Sequence, residues 1–126
     1  MKKIIKSINA PAPVGPYSQA VLIDGTLFIS GQVAIDIETK VLFTDNIETE
    51  TMIVMKNIES ILTEAGFSFQ NVVKSTIFTV DLNNFSIINK VYGSFFESKT
   101  APARETVEVS ALPLGANVEI SVIAKK

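Results

Sequence analysis

The chain has no cysteine, no histidine and only one arginine. Without cysteine there are no disulfides, thiolate nucleophiles or cysteine-ligated zinc. Without histidine the commonest general base and the commonest transition-metal ligand are gone, and a Ser-His-Asp triad cannot be assembled. Chemistry must therefore run on carboxylates, hydroxyls, amides, lysines, one guanidinium and water. Long apolar runs are also missing. Only two consecutive apolar residues follow the basic start MKK, short of the roughly 7–15 of a secretory signal. No segment approaches the ~20 apolar residues of a membrane span. The expected location is the cytoplasm. The glycines are scattered without a phosphate-loop pattern, the acidic residues lack calcium-loop spacing, and no spacing supports a Ser-Lys nucleophilic pair.

What is present is an ordinary globular composition of 126 residues, 47% apolar, with a net charge of −2. That length suits one domain with a modest core, and residues 1–126 are read as that single domain, with no repeat or linker. The slightly acidic balance and the spread lysines argue against a nucleic-acid partner, which needs a basic surface.

KKIIKS (2–7) reads as a short strand, and NAPAPVGPY (9–17) as an extended loop, because each proline fixes its own φ and restrains its neighbour. Residues 19–23 and 26–33 read as two strands joined at Asp24-Gly25, a strong hairpin signal. From 47 to 65 the period becomes helical, with Ile47, Thr51, Met55, Ile58, Leu62 and Ala65 on one face. Asp45 with Glu48 predicts a capping box, and Gly66 the stop. VVKSTIFTV (72–80) predicts a strand. A second helix is predicted from about 84 to 97, capped by Asn83 or Asn84, with Asn89 on the same stripe as Phe85 and Phe96. ETVEV (105–109) and NVEISVIA (117–124) close the chain as strands. The order β-β-β-α-β-α-β-β predicts an α+β sandwich, with both helices on one side of a largely sequential sheet. Bulky residues on both sheet faces (Phe28 against Ile29, Phe78 against Ile77) point to oligomerisation.

Arg104 stands alone among ten lysines. It is either a surface charge or a planar fork placed to grip a carboxylate. Ser30-Gly31 ends an apolar strand, which marks either a bulge or a close approach by another chain segment or a ligand. Tyr17 can cap the core edge with its hydroxyl in solvent, and Asn89 can serve a neighbouring loop. Glu119 alternates with Val118, Ile120 and Val122. Such a glutamate is usually solvated, but in a cleft facing an arginine it could orient water. With the loop centred on Pro113, Arg104 and Glu119 fall on opposite faces, and a one-residue shift would put them together.

Six stretches, APAPVGPYSQAV (10–21), LFISGQV (27–33), NIESILTEAG (57–66), VVKSTIFTVDLNNF (72–85), NKVYGSFF (89–96) and PARETVEVSALPLGANVEISVIA (102–124), together resemble the RidA/YjgF family of reactive enamine/imine deaminases. The resemblance implies a chorismate-mutase-like α+β fold with two helices on one sheet face. It also implies a homotrimer with a barrel-like sheet core and clefts between subunits. The implied activity is cofactor-independent hydrolysis of 2-aminoacrylate and related enamine/imine acids to 2-oxo acids and ammonia, downstream of pyridoxal-phosphate-dependent dehydratases. On the same basis, Arg104 matches the arginine that holds the substrate carboxylate. Tyr17, Ser30, Gly31 and Asn89 match cleft positions, and Glu119 matches the glutamate that orients or deprotonates water. Thr106 stands where many members have cysteine, and its backbone carbonyl is the implied actor. Lys40 replaces a usual turn glycine and Asn71 a common aspartate, both expected to be neutral. Two alternatives stay open: a carboxylate-binding regulatory protein without turnover, and an endoribonuclease, which the missing histidines disfavour.

Overall fold

Asp24 and Gly25 adopt φ of 49° and 76°, the two left-handed residues that match a tight turn to strand twist. They join β2 (Ala20–Ile23) to β3 (Thr26–Gln32), and β1 (Lys3–Ile5) pairs antiparallel with β2 on the outside. The structure is a computed structural model describing residues 1–126. Its remaining elements are α1 (Ile47–Glu64), β4 (Val72–Thr79), α2 (Phe85–Gly93), β5 (Ala103–Glu108) and β6 (Val118–Lys125), with short 3-10 turns between them. The six strands form one sheet in the order β1-β2-β3-β6-β4-β5. β6 runs antiparallel to both β3 and β4, while β4 and β5 are parallel.

The sheet is thus not sequential as expected. Helical crossovers return the chain in parallel, α1 between β3 and β4 and α2 between β4 and β5, and the last strand fills the gap that the first crossover leaves. Local pattern carries no information about that insertion, because strand order depends on which edges the crossovers leave free.

Both helices cover one face, as predicted. Val54, Met55, Ile58, Ile61 and Leu62 of α1 are essentially fully buried against Leu27, Ile29, Val118, Ile120 and Val122 of β3 and β6. Each such side chain contributes roughly 1.5–3 kcal/mol of burial free energy. α1 ends before Gly66, whose φ of 78° suits glycine. Its N-cap is Asn46, not Asp45: the Asn46 side chain accepts from Thr49 N at 2.8 Å, with no contribution from Glu48. α2 is shorter than predicted. Asp81 caps a 3-10 turn over Leu82–Asn84 by accepting from Asn83 N, and Asn84 makes no capping bond. At the other end Phe95 and Phe96 leave the helix to pack on Phe69.

The opposite sheet face is uncovered and apolar in part. Phe28 is 44% exposed and Val73 50%, while Ile29 and Ile77 on the helix side are buried. β5 begins two residues earlier than predicted, so it already includes Arg104. Lys40 adopts φ 61°, the region for which glycine is favoured. Asn71 Oδ1 accepts from Ser68 N at 2.9 Å, which an aspartate could do equally.

Candidate active site

Arg104 lies on β5 in register with Ser75 of β4, and Ser75 is buried beneath α2. Alternation therefore turns Arg104 toward the helix layer. There Phe85, Asn89 and Tyr92 meet it. Nη1 donates to Asn89 Oδ1 at 2.7 Å, and Cζ lies 5.6 Å from the Phe85 ring centre and 5.1 Å from that of Tyr92. The chain has two ion pairs, Lys56–Glu59 and Lys74–Glu105, and neither includes Arg104. Its guanidinium is held by neutral groups and pairs with no carboxylate of the chain. Pro102, Ala101 and Ser98 complete the cleft beside it.

Glu119 lies on β6 opposite Phe78 of β4, on the uncovered face. Gly31 explains how it lies there. A Cβ on Gly31 would come within 2.8 Å of both Cδ and Oε1 of Glu119, closer than real contacts allow. The pairing of β3 with β6 also slips between Ile29 and Gln32. The segment is therefore a bulge, and the close approach to Gly31 is made by another segment of the chain, a carboxylate of the next strand. The chain supplies no hydrogen bond to Glu119, and burial raises its carboxyl pKa from the ordinary value.

Two other bonds organise this second cleft. Ser30 Oγ donates to Ser18 O at 2.6 Å and so fixes the segment carrying Tyr17, whose ring is exposed and lines the cleft. The buried Gln19 amide accepts from Ser7 N and donates to the carbonyls of Ser7, Ala10 and Pro11, tying the proline-rich loop to the cleft rim. Glu50, fully buried on α1, accepts from both Asn117 N and Asn117 Nδ2 at 2.8 Å. It thereby anchors the chain two residues before Glu119. Leu114, at φ 62°, sits on the same rim, a strained backbone position for a branched residue.

The predicted residues divide into two groups. Tyr17, Ser30, Gly31 and Glu119 share one cleft, Asn89 and Arg104 another. Register settles the question left open by sequence, since Arg104 and Glu119 are on opposite faces of the sheet with β4 between their strands. Thr106, in register with Ile77, shares the helix side with Arg104, and its buried Oγ1 has no hydrogen-bond partner. Val109 N donates to Thr79 O at 2.8 Å. Because a parallel ladder alternates, the odd residues of β5 pair with β4, and the Thr106 carbonyl points to the open edge. Sequence reasoning missed Phe85 and Tyr92 as neighbours of the arginine. Their spacing with Asn89 at i, i+4 and i+7 was the available signal.

The profile of the family described as Endoribonuclease L-PSP matches residues 7–126. A 2-iminobutanoate/2-iminopropanoate deaminase of Bos taurus is 46% identical, over 98% of this chain and 90% of the relative. A Yersinia pestis structure described as a protein of unknown function of the conserved Rid protein family is 47% identical, covers 100% of both chains, and superposes with a TM-score of 0.97. The E. coli TdcF structure with bound serine is 35% identical, with 98% of each chain covered and a TM-score of 0.92.

Proposed function

The chain belongs to the Endoribonuclease L-PSP family, which includes the RidA/YjgF proteins, and on that premise we propose that it is a cofactor-independent hydrolytic deaminase of enamine and imine acids. Identity of 40–46% to mammalian 2-iminobutanoate/2-iminopropanoate deaminases supports this activity at the level of the family. The observation that carries the reading for this chain is the guanidinium of Arg104, fixed by neutral groups and lacking a carboxylate partner. A small 2-imino acid supplies that carboxylate.

In this reading the enamine acid tautomerises to the imine with its carboxylate on Arg104. Glu119 takes a proton from water as the oxygen attacks the imine carbon, and the Thr106 carbonyl helps to hold that water. Glu119 passes that proton to the nitrogen to complete the carbinolamine, then takes the proton of the new hydroxyl and delivers it to the same nitrogen as the C–N bond breaks, so that ammonia leaves and the C=O of a 2-oxo acid forms. A desolvated carboxylate with a raised pKa suits both proton steps. Tyr17 lines the cleft, and positioning supplies much of the acceleration.

Because Arg104 and Glu119 lie on opposite sheet faces, the complete site is assembled between copies of the chain. The uncovered face carrying Phe28 and Val73 gives those copies a surface to pack on. The assembly we propose is a homotrimer with intersubunit clefts, working in the cytoplasm downstream of a pyridoxal-phosphate-dependent dehydratase.

The test couples threonine dehydratase to the purified protein and follows loss of the enamine/imine intermediate. Accelerated loss that scales with protein concentration is expected. An unchanged decay, with 2-oxo acid still bound, would instead favour a carboxylate-binding regulator.

A further inference from the structure

Arg104 meets three side chains of α2, Phe85, Asn89 and Tyr92, one stripe spanning two turns. At the helical rise, the two aromatic residues stand about 10.5 Å apart along the axis. Cζ of Arg104, 5.6 Å from one ring centre and 5.1 Å from the other, fits between them. Asn89, partway along, accepts from Nη1. Tyr92 is itself fixed, since its buried hydroxyl donates to Ser75 Oγ at 2.8 Å, and Ser75 is in register with Arg104. Phe96 packs on the same ring at 4.7 Å.

We propose that Phe85 and Tyr92 are positioning residues of the carboxylate clamp, holding the guanidinium between two aromatic rings so that its free N–H edge meets a planar carboxylate in a fixed orientation. This rests on the role given to Arg104 above. Aromatic rings attract a guanidinium without neutralising it, so the cradle orients the cation and leaves its charge for substrate. A lysine ammonium has no plane for such a cradle to orient, which accounts for one arginine in a chain of lysines. Burial raises the Tyr92 pKa, with Ser75 and Arg104 opposing. A phenol there does not compete with substrate for Arg104 as a phenolate would.

The probe is 2-oxobutanoate, titrated calorimetrically into the full chain. Phe85→Leu and Tyr92→Leu are made singly in the wild-type background and again in an Arg104→Lys background. In the wild type we expect affinity to fall roughly threefold for Phe85→Leu and about tenfold for Tyr92→Leu. KM should follow while kcat stays within about twofold. In the Arg104→Lys background each change should cost less than about twofold, because there is no plane left to orient. Equal fold-losses in both backgrounds, or unchanged affinity for both variants, would overturn the positioning role. If the buried Tyr92→Leu chain does not fold, Phe85→Leu, at a residue 38% exposed, decides alone. A wild type that accelerates enamine loss yet gives equal losses in both backgrounds overturns this inference only. One that binds 2-oxobutanoate without turnover overturns the deaminase reading and leaves the cradle standing.

Discussion

On the helix side of the sheet Arg104 lies between two rings with an amide at its edge, whereas on the other side Glu119 leans across a glycine and accepts no hydrogen bond. The two groups are prepared in opposite ways. Neutral neighbours fix the cation and leave its charge intact. The carboxylate is partly desolvated and left without donors, so it binds a proton more readily. An anion site needs geometry at no cost in charge, while a base needs a raised proton affinity. The proposed mechanism asks both of one sheet, which turns Arg104 toward a helix and Glu119 away from it.

Removing the cation should break this contrast most severely. Arg104→Ala should lower kcat/KM several hundredfold in the coupled dehydratase assay, because a charged partner is lost outright. Arg104→Lys keeps the charge without the fork, and about a tenfold to hundredfold loss is expected; wild-type rates for both would remove the clamp.

The carboxylate side should respond differently. Glu119→Gln should lower kcat about a hundredfold with little change in KM. A base works deprotonated, so wild-type kcat should fall as pH drops through a pKa that burial raises from the ordinary glutamate value. Stability runs the other way. A folded pKa raised above the unfolded value gives a contribution fully present below the unfolded pKa and lost as pH rises through the folded one. Thermal unfolding of Glu119→Gln should lack that loss, and parallel pH profiles of stability for both proteins would contradict it.

Gly31→Ala is the subtler disturbance. Its methyl must displace Glu119 by occupying the space within 2.8 Å of Cδ, so roughly a tenfold fall in kcat is expected, with ligand affinity retained in the 2-oxobutanoate titration. The smallest effect should come from Thr106→Val. It removes a buried hydroxyl that has no partner, so unfolding free energy should rise by about 1 kcal/mol while activity stays within about twofold. A tenfold loss of activity would mean that the hydroxyl, and not the backbone carbonyl, serves the reaction.

Much of this architecture was legible in sequence where one period or one turn decides. α1 follows from its apolar stripe, and the β2–β3 hairpin from Asp24-Gly25. That Phe28 and Ile29, and Ile77 and Phe78, take opposite faces follows from alternation. The position of β6 between β3 and β4 was hidden, because strand order is a property of crossovers and free edges. The relative facing of Arg104 and Glu119 waited on the same fact, as it depends on registers read through β4. Gly31 announced a close approach but not its source. The place of Tyr92 beneath a guanidinium was hidden as well: its ring is buried, and that contact depends on a strand residue twelve positions further on.

The central claim is that a cation from one face and a base from the other act on one substrate between two copies of the chain. Arg104→Ala and Glu119→Gln chains, each inactive alone, should be unfolded together, refolded as a mixture, and assayed for enamine/imine clearance. With random assembly of a closed ring, roughly a quarter of the clefts combine an intact arginine with an intact glutamate, so about that fraction of wild-type activity should return. If the mixture remains as inactive as its parents, the two groups do not meet across a subunit boundary.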